Sequence, residues 1–334
     1  MEIRWDRLLG HERRIAQARR MIEERRLPHA LLLFGPEGVG KRRVAETMAA
    51  ALLCAGEDAP CGECESCRAA RLGTHPDFYL VEPEAQGKSA RAIRIDRIRA
   101  LQAGLARLPI LSGRSVVLMD DAHLMNEAAA NCLLKTLEEP TGDTVFLLVT
   151  SARSSLLPTI LSRCVPVAFG MLPDDVIKRA LEDRGVAGAK AVQIAALVDG
   201  SLGRAIRLAE GDGLSMQEEA VAFLEQMGSL SMEQVFARGE ELGSMARERL
   251  IEWLRWQIVL FRDLALLRSD GGSPLIYCKG ARDRLLALLP GFSESRIFDM
   301  IGLLQETQRR MRENVNLRLQ LESCLIKWMG LLQA

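Results

Sequence analysis

The stretch LLLFGPEGVGK, residues 31–41, constrains this chain's fold more than any other. Its apolar run reads as a buried strand. The G-x-x-x-x-G-K that follows reads as a loop opening a helix, with backbone N–H groups turned to cradle phosphate. Gly35, Gly38 and Gly40 leave that backbone open to an anion, and Lys41 is placed to reach the terminal phosphates of a nucleotide. The next residue should be Ser or Thr, whose hydroxyl ligates the Mg²⁺ bridging the β- and γ-phosphates. It is Arg42. A guanidinium has donors only and a fixed positive charge, so it cannot ligate a cation. The loop keeps the frame of a nucleotide site and lacks one of its metal ligands.

Such a loop works with a second strand that ends in carboxylates, one holding Mg²⁺ and the next polarising the attacking water. SVVLMDDAH, residues 115–123, supplies Asp120 and Asp121. Glu is the more usual second residue, and Asp121 is one methylene shorter. The expectation is a nucleotide-binding fold in which ATP and Mg²⁺ are doubtful ligands and turnover is negligible.

Apolar, β-prone runs recur at residues 30–34, 78–81, 116–119, 145–150 and 165–169, with helical patterns between them. That alternation predicts a parallel sheet covered by helices on both faces. Beyond it only helical patterns remain. Short ones span 176–208, broken by DGSLG at 199–203, and EGDGLS at 210–215 marks a further boundary. Long ones such as LIEWLRWQIVLFRDLALL and LRLQLESCLIKWMGLL read as a helical bundle. The expected division is an α/β domain over 1–168, a small helical domain over 169–210 and an all-α domain over 211–334.

Forty-four Lys and Arg balance 44 Asp and Glu in 334 residues, so no global field draws the chain to nucleic acid or lipid, and any such contact is local. The N-terminal MEIRWDRLLGHERR lacks the apolar core of a signal peptide, and no run reaches membrane-spanning length; the expected location is the cytoplasm. The segment RAIRIDRIRALQ, from Arg91, reads as a helix. Its interleaved Ile93, Ile95, Ile98 and Leu101 form a buried stripe, and Arg91, Arg94, Arg97 and Arg99 read by default as a solvated face, with direct DNA contact as the alternative.

Of eight cysteines, Cys132, Cys164, Cys278 and Cys324 are scattered among apolar residues and read as core. The other four cluster in CAGEDAPCGECESC. Two overlapping C-x₂-C steps, Cys61, Cys64 and Cys67, bring three thiolates onto tight turns, and Cys54 can add a fourth from the end of the preceding helix. A closed Cys₄ set suits structural Zn²⁺; a loop of reduced thiols is the alternative. His75, in THPDF, is a weaker ligand candidate and reads as a packing or capping residue.

Taken together, HALLLFGPEGVGK, the cysteine insertion behind the loop helix, DDAHLMNEAAANCLLKTLEEP and ILSRC resemble the clamp-loader branch of the AAA+ ATPases. The resemblance covers residues 1 to about 208 strongly and the helical tail loosely. It implies a RecA-like AAA+ domain with a zinc module, a helical lid and a helical collar that joins a pentameric ring with gamma/tau and delta subunits. That ring loads a sliding clamp onto primed DNA in replication. It further implies that Arg163 in SRC acts as an arginine finger in a neighbour's ATPase site, that Thr150 stands where active relatives sense the γ-phosphate, and that Arg204 in SLGRA matches a lid arginine that contacts phosphates. Arg42 favours a non-hydrolysing, stator-like member of the branch; a gamma/tau-like motor subunit is the alternative.

Overall fold

In the computed structural model the described residues are 3–85, 91–210, 213–271, 273, 276–311 and 316–333. The five β-prone runs form the strands β1 (Ala30–Phe34), β2 (Phe78–Val81), β3 (Ser115–Met119), β4 (Thr144–Thr150) and β5 (Val165–Ala168). Each end lies within one residue of its expected position. All neighbours are parallel, in the order β2-β3-β4-β1-β5.

The two-residue period of these strands supplies two separate cores. Leu32, Val117, Met119, Phe146 and Leu148 face one way, onto Ile98, Leu101, Leu133, Leu137 and Ile160. Leu31, Leu33, Val116, Leu118, Leu147 and Val149 face the other, onto Val44, Met48 and Leu52 of the helix that follows the phosphate loop. Burial of each such side chain contributes about 1.5–3 kcal/mol, which is why β3 and β4 read as unbroken apolar runs. β5 departs from this pattern. It pairs with β1 alone, with Pro166 opposite Leu32, so the missing proline N–H costs no ladder bond at the sheet's edge.

One expected helix starts late. RAIRIDRIRALQ is helical only over Ile95–Leu105. Ile93 is buried, but its N–H donates to the Leu124 carbonyl (2.9 Å) and its own carbonyl accepts from Asn126 N (3.1 Å). That pairing with a distant segment takes up the backbone groups a helix would use. Arg97 pairs with Glu84 at 2.6 Å, and Arg91 and Arg94 donate to the carbonyls of Pro83 and Glu84.

The chain divides into two compact units, Met1–Ile206 and Arg207–Ala334. After β5 the first unit continues in the helices Asp174–Glu182 and Gly188–Leu197. Gly211 and Asp212, at the expected lid boundary, lie outside the described residues. The second unit is built from the helices Gly213–Met227, Met232–Gly243, Arg247–Ser269, Arg282–Leu288, Glu294–Arg310 and Leu317–Gln333. Its core is aromatic: Trp328 meets Phe223 and Phe261 edge-on, with ring centroids 5.5 and 5.4 Å apart. Asp263, fully buried, accepts the backbone N–H of Tyr277 (3.0 Å) and Cys278 (2.7 Å). Cys164, Cys278 and Cys324 are buried as expected, and Cys132 is half-buried. Among the described residues no helix is long and apolar enough to cross a membrane.

Candidate functional site

The carboxyl ends of the parallel strands lie along one edge of the sheet, with β4 between β3 and β1, and β1 stands between β4 and β5 although β2 follows it in sequence. Open parallel sheets hold ligands at such a switch point. The loop after β1 turns through Gly35 (φ 147°) and Gly38 (φ 76°). A Cβ at Gly35 would lie 2.2 Å from the Phe169 carbonyl oxygen, and one at Gly38 2.2 Å from Ser201 Oγ, so neither position admits a side chain. Gly40 (φ 99°) caps the helix Lys41–Leu53.

The loop is satisfied by the protein's own groups. Lys41 Nζ, on a buried side chain, donates to the carbonyls of Gly35 (2.8 Å) and Pro36 (2.5 Å). Gly203 N–H donates to the Gly38 carbonyl (2.8 Å), and His11 Nε2 lies 3.1 Å from the Val39 carbonyl. Burial pulls the Lys41 ammonium below its ordinary pKa, against the opposing charges of Asp121, Asp120 and Glu37.

Arg42 faces the end of β3. Its Nη1 donates to Asp120 Oδ2 (2.9 Å) and to Glu82 Oε1 (2.5 Å), and its Nε to Glu46 Oε1 (2.9 Å). Burial works against the charged guanidinium, but the bonds to Glu46 and Glu82 and the charge of Asp120 outweigh it and hold the pKa above its ordinary value. Asp120 is thus bound to a cation that belongs to the protein itself. Asp121 adopts a left-handed backbone (φ 45°), and burial together with the charge of Asp120 raises its pKa.

The remaining expected residues are spread around this centre. Thr150, fully buried at the end of β4, has its Oγ1 3.2 Å from His123 Nδ1 and accepts Ala152 N–H at 3.1 Å. Arg204 is buried, its Nη1 donating to the Leu197 carbonyl at 2.7 Å and its N–H to Ser201 Oγ at 3.3 Å. Arg163 makes its contacts away from this loop. Nη2 pairs with Glu138, Nη1 donates to the Thr159 carbonyl at 2.8 Å, and about a third of the side chain is exposed (33%).

The four clustered cysteines converge. Cys54 follows the last residue of the loop helix, and Cys64 caps the helix Glu65–Leu72. Their sulfurs and those of Cys61 and Cys67 all lie within 4.8 Å of one another, with Cys54–Cys61 at 3.6 Å and Cys54–Cys64 and Cys61–Cys67 at 3.9 Å. Tetrahedral zinc with Zn–S bonds of about 2.3 Å requires sulfur separations of about 3.8 Å. Backbone N–H groups of Gly56, Cys61, Cys64 and Cys67 point at three of the sulfurs at 3.3–3.4 Å, as thiolates require. Backbone donors from Glu63 and Cys64 bring the Cys61 thiol down to about 6, whereas burial drives Cys67 above its ordinary range. The set fits structural Zn²⁺, held by these four residues alone. His75 is not among them: it is buried, its Nε2 3.0 Å from Ser112 Oγ and its Nδ1 accepting Asp77 N–H at 3.1 Å.

Sequence reasoning missed the partners. Glu46 stands four residues after Arg42 on one helix, a spacing at which opposite charges meet, and could have been found. Glu82 directly follows β2, and only the sheet order brings it beside β3. His123 and Glu138 lie inside the DDAHLMNEAAANCLLKTLEEP stretch, but nothing in its spacing assigns them to Thr150 and Arg163.

Sheet order, phosphate loop and strand-end carboxylate define an α/β P-loop domain of the AAA+ type. The model of the family described as "DNA polymerase III, delta subunit" matches residues 10–173. The DNA polymerase III subunit delta' of Pseudomonas aeruginosa is 36% identical over 314 residues, covering 91% of this chain and 92% of that protein. Its Escherichia coli counterpart is 34% identical over 252 residues, covering 73% and 72%. The tau subunit of E. coli is 33% identical over 260 residues, 72% of this chain and 40% of that protein. The chain belongs to the delta' family of DNA polymerase III subunits.

Proposed function

We propose that this chain is a stator-like, non-hydrolysing subunit of the DNA polymerase III clamp loader. It supports ATP-dependent loading of the sliding clamp onto primed DNA and lends Arg163 to the ATPase site of a neighbour. Its partners are the gamma/tau and delta subunits of a pentameric ring. Residues 1–168 act as the AAA+ domain, 169–210 as a lid and 211–334 as the collar. The observation that carries the reading is the contact of Arg42 with Asp120 where a working site needs a hydroxyl and a metal ion. Lys41 Nζ is bonded to its own loop carbonyls, and Arg42 occupies the strand-end carboxylate on which a nucleotide's metal would depend. The Cys₄ cluster contributes a structural metal. Arg163 is about a third exposed and is held by Glu138, the Thr159 carbonyl and Ser162 Oγ, so transfer to a neighbour's γ-phosphate exchanges one surface ion pair and two local hydrogen bonds for the new contact.

The retained Gly35, Gly38, Gly40 and Lys41, with the likeness to a tau subunit, support a motor subunit as the alternative. ATP turnover by the isolated chain, compared with turnover by its mixture with the other loader subunits, decides between them. The stator reading expects none from the chain alone and full activity in the mixture; steady turnover by the isolated chain supports the motor.

A further inference from the structure

Three carboxylates from three different elements converge on one guanidinium. Glu46 comes from the loop helix, Glu82 from the residue after β2 and Asp120 from the residue after β3. Their oxygens lie 2.9, 2.5 and 2.9 Å from nitrogens of Arg42, and two of the three bonds share Nη1. The carboxylates of Glu46 and Asp120 are largely shielded, at 18% and 15% exposure. Glu37 and Asp121 add negative charge nearby, with Lys41, Arg91 and His123 as the opposing groups. Like charges crowded in this way are stable only around a cation, and hard oxygen ligands from several elements are the donor set of Mg²⁺ or Mn²⁺.

We propose that Arg42 is a tethered replacement for a divalent cation, and that Glu46, Glu82 and Asp120 form a latent divalent-metal site which its guanidinium keeps filled. The inference deepens the stator reading: the site is closed to metal by substitution of one cation for another, with the carboxylates left in place. A covalently attached cation cannot be lost or exchanged, so the edge of the sheet stays ordered at any metal concentration. The same occupancy denies an incoming nucleotide its metal and leaves the surrounding carboxylates to repel the polyphosphate.

Mn²⁺ titration of the full chain without nucleotide or partner, followed by water-proton relaxation and by thermal unfolding, tests this. The unchanged chain should show no saturable Mn²⁺ binding beyond that of a control carrying Asp120→Asn. Arg42→Ala should gain a saturable site, tighter than any in the unchanged chain by about tenfold or more, with a Mn²⁺-dependent rise in unfolding temperature. Arg42→Ala combined with Asp120→Asn should lose both. Mg²⁺ should compete for the same site. Comparison with the unchanged chain cancels any contribution from the cysteine cluster. Equal binding by the unchanged chain and Arg42→Ala, or no binding by a folded Arg42→Ala, overturns the proposal. Should Arg42→Ala fail to fold with or without Mn²⁺, Arg42→Gln is titrated instead, since it keeps an amide donor and drops the charge; a folded Arg42→Gln chain indifferent to Mn²⁺ overturns it equally. Because no nucleotide or partner enters the titration, it can fail while the stator reading stands, and the ATPase comparison can fail while the latent site stands.

Discussion

Nη1 of Arg42 lies 2.9 Å from Oδ2 of Asp120, joining the first residue after the phosphate-loop motif to the carboxylate at the end of β3. That contact links two positions which, in a hydrolysing site, are bridged by metal and water. It also fastens the loop helix to the neighbouring strand ends. In metal-free buffer, Arg42→Ala should lower stability by about 1–3 kcal/mol, since three carboxylates lose their counter-ion but part of the cluster remains solvated. Urea unfolding of the isolated chain measures it. A change below about 0.5 kcal/mol would mean that solvent screens the cluster completely.

The cysteine cluster should carry one equivalent of Zn²⁺ in protein purified without chelator. Cys64→Ser should lose the metal, because it removes one of four thiolate ligands, while the serine hydroxyl can still cap the helix Glu65–Leu72. Chelation of the unchanged chain should lower its unfolding temperature. Full metal content in Cys64→Ser, or a zinc content below half an equivalent in the unchanged chain, would remove Cys₄ ligation from the account.

Asp77 supplies an acid-sensitive anchor. Its buried carboxylate accepts the N–H groups of Ile110 (2.7 Å), Leu111 (2.8 Å) and Ser112 (2.8 Å), fastening the segment that leads into β3. Burial alone would raise its pKa, but these three bonds and the neighbouring His75 hold it below the ordinary 3.8. A lowered carboxyl pKa stabilises the fold fully above the unfolded value, and this contribution is lost as pH falls through the folded one. Burial also lowers the pKa of His75, so its protonation in the unfolded chain begins to erode stability as pH drops below 6.5. Stability should therefore fall in two stages on acidification, the first below pH 6.5 and the second below pH 3.8. Asp77→Ala should cost about 2–4 kcal/mol at neutral pH and diminish the second stage. The lowered carboxyls of Glu225 and Glu306 also contribute to that stage. An acid unfolding curve unchanged by the substitution would show that the anchor contributes nothing.

Much of this was legible in the sequence, for physical reasons that differ by element. The strands were clear because a sheet buried on both faces leaves unbroken apolar runs, as in SVVLM and TVFLLVT. The cysteine set was clear because metal geometry imposes short fixed spacings. Ile93 misled because its side chain fits a helical stripe, while its backbone is claimed by Leu124 and Asn126, about 30 residues away. Arg42 announced itself as an anomaly, but its three partners come from separate elements. Only the order β2-β3-β4-β1-β5 puts Glu82 next to Asp120.

In the proposed stator role this chain serves its neighbour's chemistry and performs none of its own. The direct test is DNA- and clamp-stimulated ATP hydrolysis by assembled loaders that differ only in this subunit, carrying the unchanged chain, Lys41→Ala or Arg163→Ala. Charge spreads over the phosphoryl oxygens in the transition state, and an arginine finger changes the rate of the site it serves by about 10³-fold or more, diluted here by the ring's other sites. Arg163→Ala should therefore lower the stimulated rate, with Arg163→Lys rescuing poorly because an ammonium lacks the planar donor fork. Lys41→Ala should leave the rate nearly intact. Equal rates for the unchanged and Arg163→Ala loaders, together with loss of activity in a folded and assembled Lys41→Ala loader, would contradict the claim and make the chain a motor.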